Sequence, residues 1–215
     1  MVFADRRDAG RALAKALREQ ATFENAIVLA LPRGGVPVAY EVATELHLPL
    51  DVFIVRKLGV PFEPELAMGA VASGGIVVLN DQVLRLYSIR REAVDAAITR
   101  EQQEIGRREV AYREGRPPAQ VSGRTVMVID DGLATGATMR AAIRGLCPVA
   151  ARMIVAVPVA AAATCEQIRH EVDQLISLEC PESFSAVGEF YREFEPTTDD
   201  EVRALLTASQ TRPAV

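Results

Sequence analysis

The chain has no tryptophan, and aromatic residues make up 5% of its 215 positions although apolar residues make up 49%. A core built from this composition must be Ala, Val, Leu and Ile, the usual filling of a parallel sheet covered by helices. Histidine is nearly missing too. His47 and His170 stand far apart, which leaves zinc chemistry without a ligand set and reads both as ordinary surface or helix residues. The three cysteines, Cys147, Cys165 and Cys180, form neither a CxxC pair nor a disulfide framework. They predict small buried thiols in a reducing compartment. No basic block occurs, and 24 basic against 29 acidic residues give a net charge of −5. A nucleic-acid surface normally needs a concentrated positive stripe, so that class of partner is not expected. The most apolar stretch, residues 153–165, is interrupted by Pro158 and is too short to span a bilayer. At the N-terminus, Asp5-Arg6-Arg7-Asp8 leaves no room for a signal-peptide core. A soluble, cytoplasmic protein with no membrane partner is the expectation. Three familiar nucleotide and hydrolase motifs are missing as well: no GxGxxG follows the first strand, no Gly-Lys-Ser/Thr closes a glycine loop, and no GxSxG occurs.

What is present concentrates in residues 126–139, VMVIDDGLATGATM. Val126, Met127, Val128 and Ile129 form a buried-strand signal that ends on two adjacent carboxylates, Asp130 and Asp131. The small and hydroxylated run Gly132-Leu133-Ala134-Thr135-Gly136-Ala137-Thr138 follows, and Met139, Ile143 and Leu146 then recur at helical spacing. Backbone amides in such a loop, set before a helix N-terminus, make a ready anion site. Acids beside a phosphate cradle suit a ligand with both hydroxyls and a phosphate, such as a ribose 5-phosphate.

The rest of the chain alternates strands and helices. Asp5 fits an N-cap, and Ala9, Leu13, Ala14 and Leu17 lay one apolar stripe along a first helix. Residues 26–31 are a continuous apolar run broken by Pro32-Arg33-Gly34-Gly35; helical spacing returns over 36–46, and a second strand is predicted at 50–55, ending at Arg56-Lys57. Residues 58–80, punctuated by Pro61, Pro64, Gly69, Gly74 and Gly75, predict a loop leading into a hairpin arm that turns near Gly74-Gly75. A long helix over 89–114 turns Ala93, Ala97, Ile98 and Ile105 inward; its Arg and Glu residues read as a solvated, ion-paired face, with a dimer contact as the alternative. Residues 115–123 make a linker-like turn. Beyond the central motif come a strand at 152–157, a helix at 162–170, a strand at 174–178, and a tail carrying Phe184, Phe190, Tyr191 and Phe194. Thr198 caps a final helix. This order predicts one α/β domain over 1–215, a doubly wound, mainly parallel sheet flanked by helices, with its ligand crevice at the strand C-terminal ends.

The strand-Asp-Asp-loop-Thr-Gly-x-Thr segment resembles the phosphoribosyl-diphosphate signature of the type I phosphoribosyltransferases, and the order of elements follows that family over residues 3–195. RKLGVPFEPELAMGAVASGG and AVGEFYREF further resemble a bacterial group of predicted phosphoribosyltransferases. The resemblance implies a type I fold with a small hood from the chain ends, near 1–20 and 180–215, and a flexible loop or hairpin over 58–80. It implies that Asp130 and Asp131 hold the ribose hydroxyls, directly or through a magnesium shell, with no direct protein ligand to Mg²⁺. Ala134, Thr135, Gly136, Ala137 and Thr138 would wrap the 5-phosphate. Arg33 and Gly34 would sit in the diphosphate loop, where the family often has a non-proline cis peptide. Arg56 and Lys57 would meet the diphosphate as it leaves.

That reading makes the protein a Mg²⁺-dependent enzyme that moves ribose 5-phosphate from phosphoribosyl diphosphate to a nitrogen acceptor, a nucleobase by expectation, as a homodimer. Residues 58–75 are the candidate lid, with a packing or dimerisation arm as the alternative. Where 6-oxopurine enzymes of the family carry an aspartate in the phosphate loop, this chain has Ala134, which weighs against hypoxanthine or guanine. Stacking of a base on Phe184, Phe190, Tyr191 or Phe194 stands beside core packing. Two rivals stay open: a regulatory module that binds phosphoribosyl diphosphate without turnover, and a competence-type accessory protein of the same fold.

Overall fold

The computed structural model describes residues 2–20 and 23–210. Helix α1 (Arg6–Gln20) begins where the Asp5 carboxylate accepts the Asp8 amide at 2.7 Å, and it buries the expected stripe of Ala9, Leu13, Ala14 and Leu17. Strand β1 (Ala26–Ala30) follows, then α2 (Gly35–Glu45) and β2 (Leu50–Val52). Next come β3 (Val55–Val60), β4 (Glu63–Ala72) and β5 (Ile76–Leu79), then α3 (Asp81–Leu86) and the long α4 (Arg91–Arg113). The remaining elements are β6 (Thr125–Ile129), α5 (Ala137–Leu146), β7 (Arg152–Val159), α6 (Ala162–Arg169), β8 (Gln174–Glu179) and α7 (Asp199–Gln210).

Five strands form a parallel sheet in the order β2-β1-β6-β7-β8, flanked by helices, as the alternating pattern predicts. The chain winds outward in both directions from the β1–β6 pair, so that pair is the topological switch point where ligands bind in open α/β sheets. Its register sets Ala30 opposite Ile129, and the Leu31 amide still reaches the Ile129 carbonyl at 2.9 Å. The loops that leave β1 and β6 therefore start side by side. One apolar layer, with Leu13, Val38, Val42, Ile129, Val202 and Leu206, covers one face; a second, with Ile27, Val128, Met139, Ile143 and Ile168, covers the other.

Four expectations are corrected. The second strand of the main sheet stops at Val52, and Val55–Val60 belongs to a separate three-stranded antiparallel sheet, β3-β4-β5. Arg56 and Lys57 thus lie on that small sheet and not at a tip of the central one. Residues 58–62 continue this sheet's first hairpin instead of forming a loop, while the turn between β4 and β5 does fall at Ser73–Gly75, with φ of +78° and +76° at the two glycines. The charged face of α4 is not wholly solvated, because Glu101 and Arg113 are buried. Finally, Cys165 and Cys180 are disulfide-bonded and Cys147 is exposed. The bonded pair lies fifteen positions apart, so spacing alone did not couple them. Strand pairing does: the Ala160 amide reaches the Glu179 carbonyl and the Ala162 amide the Pro181 carbonyl.

Residues 3–4 and 190–193 converge, while residues 211–215 of the expected hood lie outside the described residues. Phe3 exchanges backbone hydrogen bonds with Phe190 and Arg192, and the Ala4 carbonyl accepts the Glu193 amide. Phe3, Tyr191 and Phe194 form a small apolar cluster beside the switch point. Helix α7 goes elsewhere, packing Val202 and Leu206 into the core beside α2 and α4.

Candidate functional site

Strand β6 ends in a pair of acids with unequal surroundings. The Asp131 amide donates to the Asp130 carboxylate at 2.9 Å, and both residues are half-buried. Burial, reinforced by the neighbouring Asp131 charge, holds the Asp130 carboxyl well above the usual carboxylate range. Asp131 has a cation of its own: Arg6 Nε donates to Oδ2 at 2.7 Å, with side-chain exposures of 11% and 14%. The Tyr191 hydroxyl donates to the Asp131 carbonyl at 2.5 Å. Burial and the Asp131 charge raise that phenol far above its ordinary range, so it acts as a neutral donor.

The loop after β1 closes in from the other side. A β-carbon on Gly34 would overlap the Asp131 carboxylate, its carboxyl carbon lying 2.7 Å away, and one on Gly35 would come within 2.7 Å of the Ile129 carbonyl oxygen. These two positions need glycine for space and not for backbone angle, since Gly34 has φ of −59°. The loop does contain a non-proline cis peptide; it joins Pro32 to Arg33, one bond earlier than the Arg33–Gly34 junction.

The loop after β6 is tied down at both ends. Leu133 pairs with the end of β7 through the Val159 carbonyl and the Ala161 amide, each at 2.9 Å. The Thr164 hydroxyl donates to the Ala134 carbonyl at 2.5 Å. Gly136, with φ of +68°, turns the chain into α5, and a β-carbon there would meet the Thr164 methyl at 2.7 Å. Thr135, Ala137 and Thr138 are exposed, and the first amides of α5 have no acceptor within their own helix. An anion bound here would meet those amides, the helix dipole and the two threonine hydroxyls.

The structure therefore brings Asp130, Asp131, Gly34 and the loop 134–138 together at the switch point. It does not bring the Arg33 and Arg56 side chains to the acids. The Arg33 guanidinium lies 3.7 Å from Asp199 at the start of α7. Arg56 Nε donates to Glu101 of α4 at 2.9 Å. Lys57, the next residue of β3, lines a cleft of about 480 Å³ with Thr138, Arg140 and Arg144 and also borders a second cleft beside Arg100 and Glu101 of α4. Strand alternation sends neighbouring side chains to opposite faces of β3.

Sequence reasoning missed Arg6 and Thr164, which touch the site from 125 and 30 residues away. It offered the aromatic tail as a base platform or as core packing; the Arg6 guanidinium lies 3.8 Å over the Phe194 ring, and Phe184 and Phe190 stack on each other. Among the described residues, no three His, Cys, Asp or Glu side chains gather as a metal cage, and no helix is long and apolar enough to cross a membrane.

A family model described as a phosphoribosyl transferase domain matches residues 64–195, which include the acid pair and its loop. Two Mycobacterium tuberculosis proteins, from strains CDC 1551 / Oshkosh and H37Rv, are each 45% identical over 210 residues and are named as proposed phosphoribosyl transferases. The match covers 95% of this chain and 46% of each of theirs, so the chain spans about half the length of these curated relatives. The solved structure of TT1426 from Thermus thermophilus is 42% identical, with a TM-score of 0.84 over 97% of this chain and 99% of that one. A hypothetical protein from Neisseria gonorrhoeae, solved with bound ppGpp, is 15% identical with a TM-score of 0.51, covering 97% of each chain; it shares the fold alone.

Proposed function

The chain belongs to the phosphoribosyl transferase family, and on that premise we propose that it transfers ribose 5-phosphate from phosphoribosyl diphosphate to a nitrogen nucleophile of the nucleobase class, releasing diphosphate. One observation carries this reading. An acid pair and an open phosphate loop share the switch-point crevice.

In this reading the amides and hydroxyls of residues 134–138 take the 5-phosphate and set the register of the sugar. The carboxylates of Asp130 and Asp131 accept the 2- and 3-hydroxyls. As the bond from the anomeric carbon to diphosphate lengthens, positive charge grows on the ribose, and the carboxylates below it oppose that charge. The nitrogen acceptor then supplies the electron pair for the new bond, the leaving diphosphate carries off the old one, and the proton shed by the nitrogen passes to diphosphate or solvent. The glycines at 34 and 35 let the loop backbone approach the acids closely, so diphosphate sits between that loop and Lys57. Arg33, half-exposed beside Asp199, reaches the same oxygens by exchanging one anion for another, which costs little for an exposed pair. Arg56 remains with Glu101 and braces β3 against α4.

The donor set fits Mg²⁺ as a passenger on the substrate. Two adjacent carboxylates are oxygen donors that suit a hard cation which keeps its waters and arrives on phosphate oxygens. When bound, it would neutralise charge on the departing diphosphate. The family's habit supports a homodimer for this reading.

A second reading, binding of phosphoribosyl diphosphate without turnover, is favoured by one fact: both Arg33 and Arg56 are already paired away from the acids. Incubation with phosphoribosyl diphosphate, Mg²⁺ and a panel of nucleobases separates the two. Diphosphate release with at least one base is expected. Tight binding with no release from any of them would overturn transfer in favour of the regulatory module.

A further inference from the structure

Arg6 occupies a position that its place in the sequence does not announce. It sits in the first turn of α1, on a segment whose strand-like pairing with residues 190–193 belongs to the terminal cluster. From there its guanidinium makes three contacts at once. Nε donates to Asp131 Oδ2 at 2.7 Å, Nη1 donates to the Glu195 carbonyl at 2.7 Å, and the plane lies 3.8 Å over the Phe194 ring. Phe194 stacks on Tyr191 at 4.9 Å, and the Tyr191 hydroxyl returns to the Asp131 carbonyl. Both ends of this circuit finish on one residue.

The contacts divide the labour at Asp131. The fork of Arg6 takes Oδ2, Gly34 crowds that same oxygen from the diphosphate-loop side, and the Tyr191 hydroxyl fixes the main chain. What remains to accept an incoming donor is Oδ1. A guanidinium held by a backbone carbonyl and an aromatic face has lost little freedom to a single bond, so it orients the carboxylate better than a solvated lysine would.

We propose that Arg6 is a positioning residue of the transfer site: it fixes Asp131 with one carboxylate oxygen presented to the ribose hydroxyls, and through Phe194 and Tyr191 it couples the terminal cluster to the donor site. The contacts of Arg6 fall on Asp131, the Glu195 carbonyl and Phe194, so its influence falls on recognition of the sugar and not of the phosphate. The proposal rests on the assignment of Asp130 and Asp131 to the ribose hydroxyls.

Calorimetric titration with inorganic phosphate, ribose 5-phosphate and phosphoribosyl diphosphate tests it on the intact protein, comparing wild type with Arg6→Gln and Arg6→Lys. Arg7→Gln serves as control, since Arg7 pairs with Glu41 of α2 and not with Asp131. Wild type should prefer ribose 5-phosphate to inorganic phosphate. Arg6→Gln should keep its phosphate affinity and lose the preference by roughly 10- to 100-fold, the worth of a charge-assisted hydrogen bond. Arg6→Lys should recover part of it, and Arg7→Gln should match wild type. A folded Arg6→Gln protein that keeps the full preference would show Arg6 to be only a strut for the terminal cluster, as would an equal loss on both ligands. A wild type with no preference would remove the ribose assignment itself, and this proposal with it.

Discussion

Gly34 and Asp131 stand 97 residues apart in the chain, and Gly34 has no room for a side chain because the Asp131 carboxylate fills the space one would take. Loop and acid thus act as one surface. Gly34→Ala must push either the loop or the carboxylate aside, an overpacking cost of about 1–3 kcal/mol. The expected result is a folded protein whose affinity for phosphoribosyl diphosphate falls on the order of 10-fold or more. Unaltered binding would mean that the loop backbone does not need this approach.

The raised carboxyl of Asp130 makes stability depend on pH with a definite sign. Its folded value lies above its ordinary one because of burial and the Asp131 charge. The folded state therefore holds the proton more tightly than the unfolded chain, a contribution fully present below the ordinary carboxylate range. It is lost as pH rises through the folded value. Asp130→Asn keeps the acceptor for the Asp131 amide and removes the titration. The variant should melt about 2–4 °C higher than wild type at pH 8, corresponding to about 1 kcal/mol in a chain of this size, with the gap closing near pH 4. A gap that widened on acidification would reverse the assigned sign.

Thr164 holds the phosphate loop from α6, through a single hydroxyl bonded to the Ala134 carbonyl. Thr164→Val keeps the methyl that packs beside Gly136 and deletes the donor. It should cost about 1 kcal/mol of stability and weaken inorganic phosphate binding by about 5-fold, read by denaturation and calorimetry. Full affinity with only the stability loss would show the loop to be held by its flanks alone.

A buried ion pair secures the far end of α4. Arg113 Nε donates to both oxygens of Asp51, at 2.9 and 3.1 Å, and Nη2 donates to the Val52 carbonyl at 2.9 Å. The Val52 and Ala119 amides complete the shell of Asp51. Arg113→Met strands a carboxylate in the interior and should cost about 3–5 kcal/mol, most of it recovered when Asp51→Asn is added. Additive losses in urea denaturation would argue that the two groups are independent.

Much of this arrangement was legible in the sequence because local signals and tertiary roles coincide. The apolar run into Asp130-Asp131, followed by small residues and a helical pattern, could only be a strand tip feeding a helix N-terminus. Parallel alternation then placed that tip beside the loop at Gly34. The failures have different physical origins. Residues 50–60 carry one nearly continuous β signal, and nothing local marks Phe53 and Ile54 as the junction between two sheets. Arg56 and Lys57 look equivalent in sequence, and the pleat alone separates them. Glu101 and Arg113 sit among solvated charges of the same kinds, and their burial depends on Arg56 and Asp51 arriving from other elements. Arg6 is hidden for the same reason, since its partner Asp131 lies 125 residues further along the chain. The Cys165–Cys180 bond needed the β7–β8 register to become visible.

The central claim is that the acid pair and its loop hold phosphoribosyl diphosphate. Calorimetric titration of the wild type and of the Asp130→Asn, Asp131→Asn double variant with phosphoribosyl diphosphate and Mg²⁺ tests it most directly. Saturable one-site binding by the wild type, with none detected for a double variant of native circular dichroism, is the predicted result. Equal affinity in the two proteins would contradict the account.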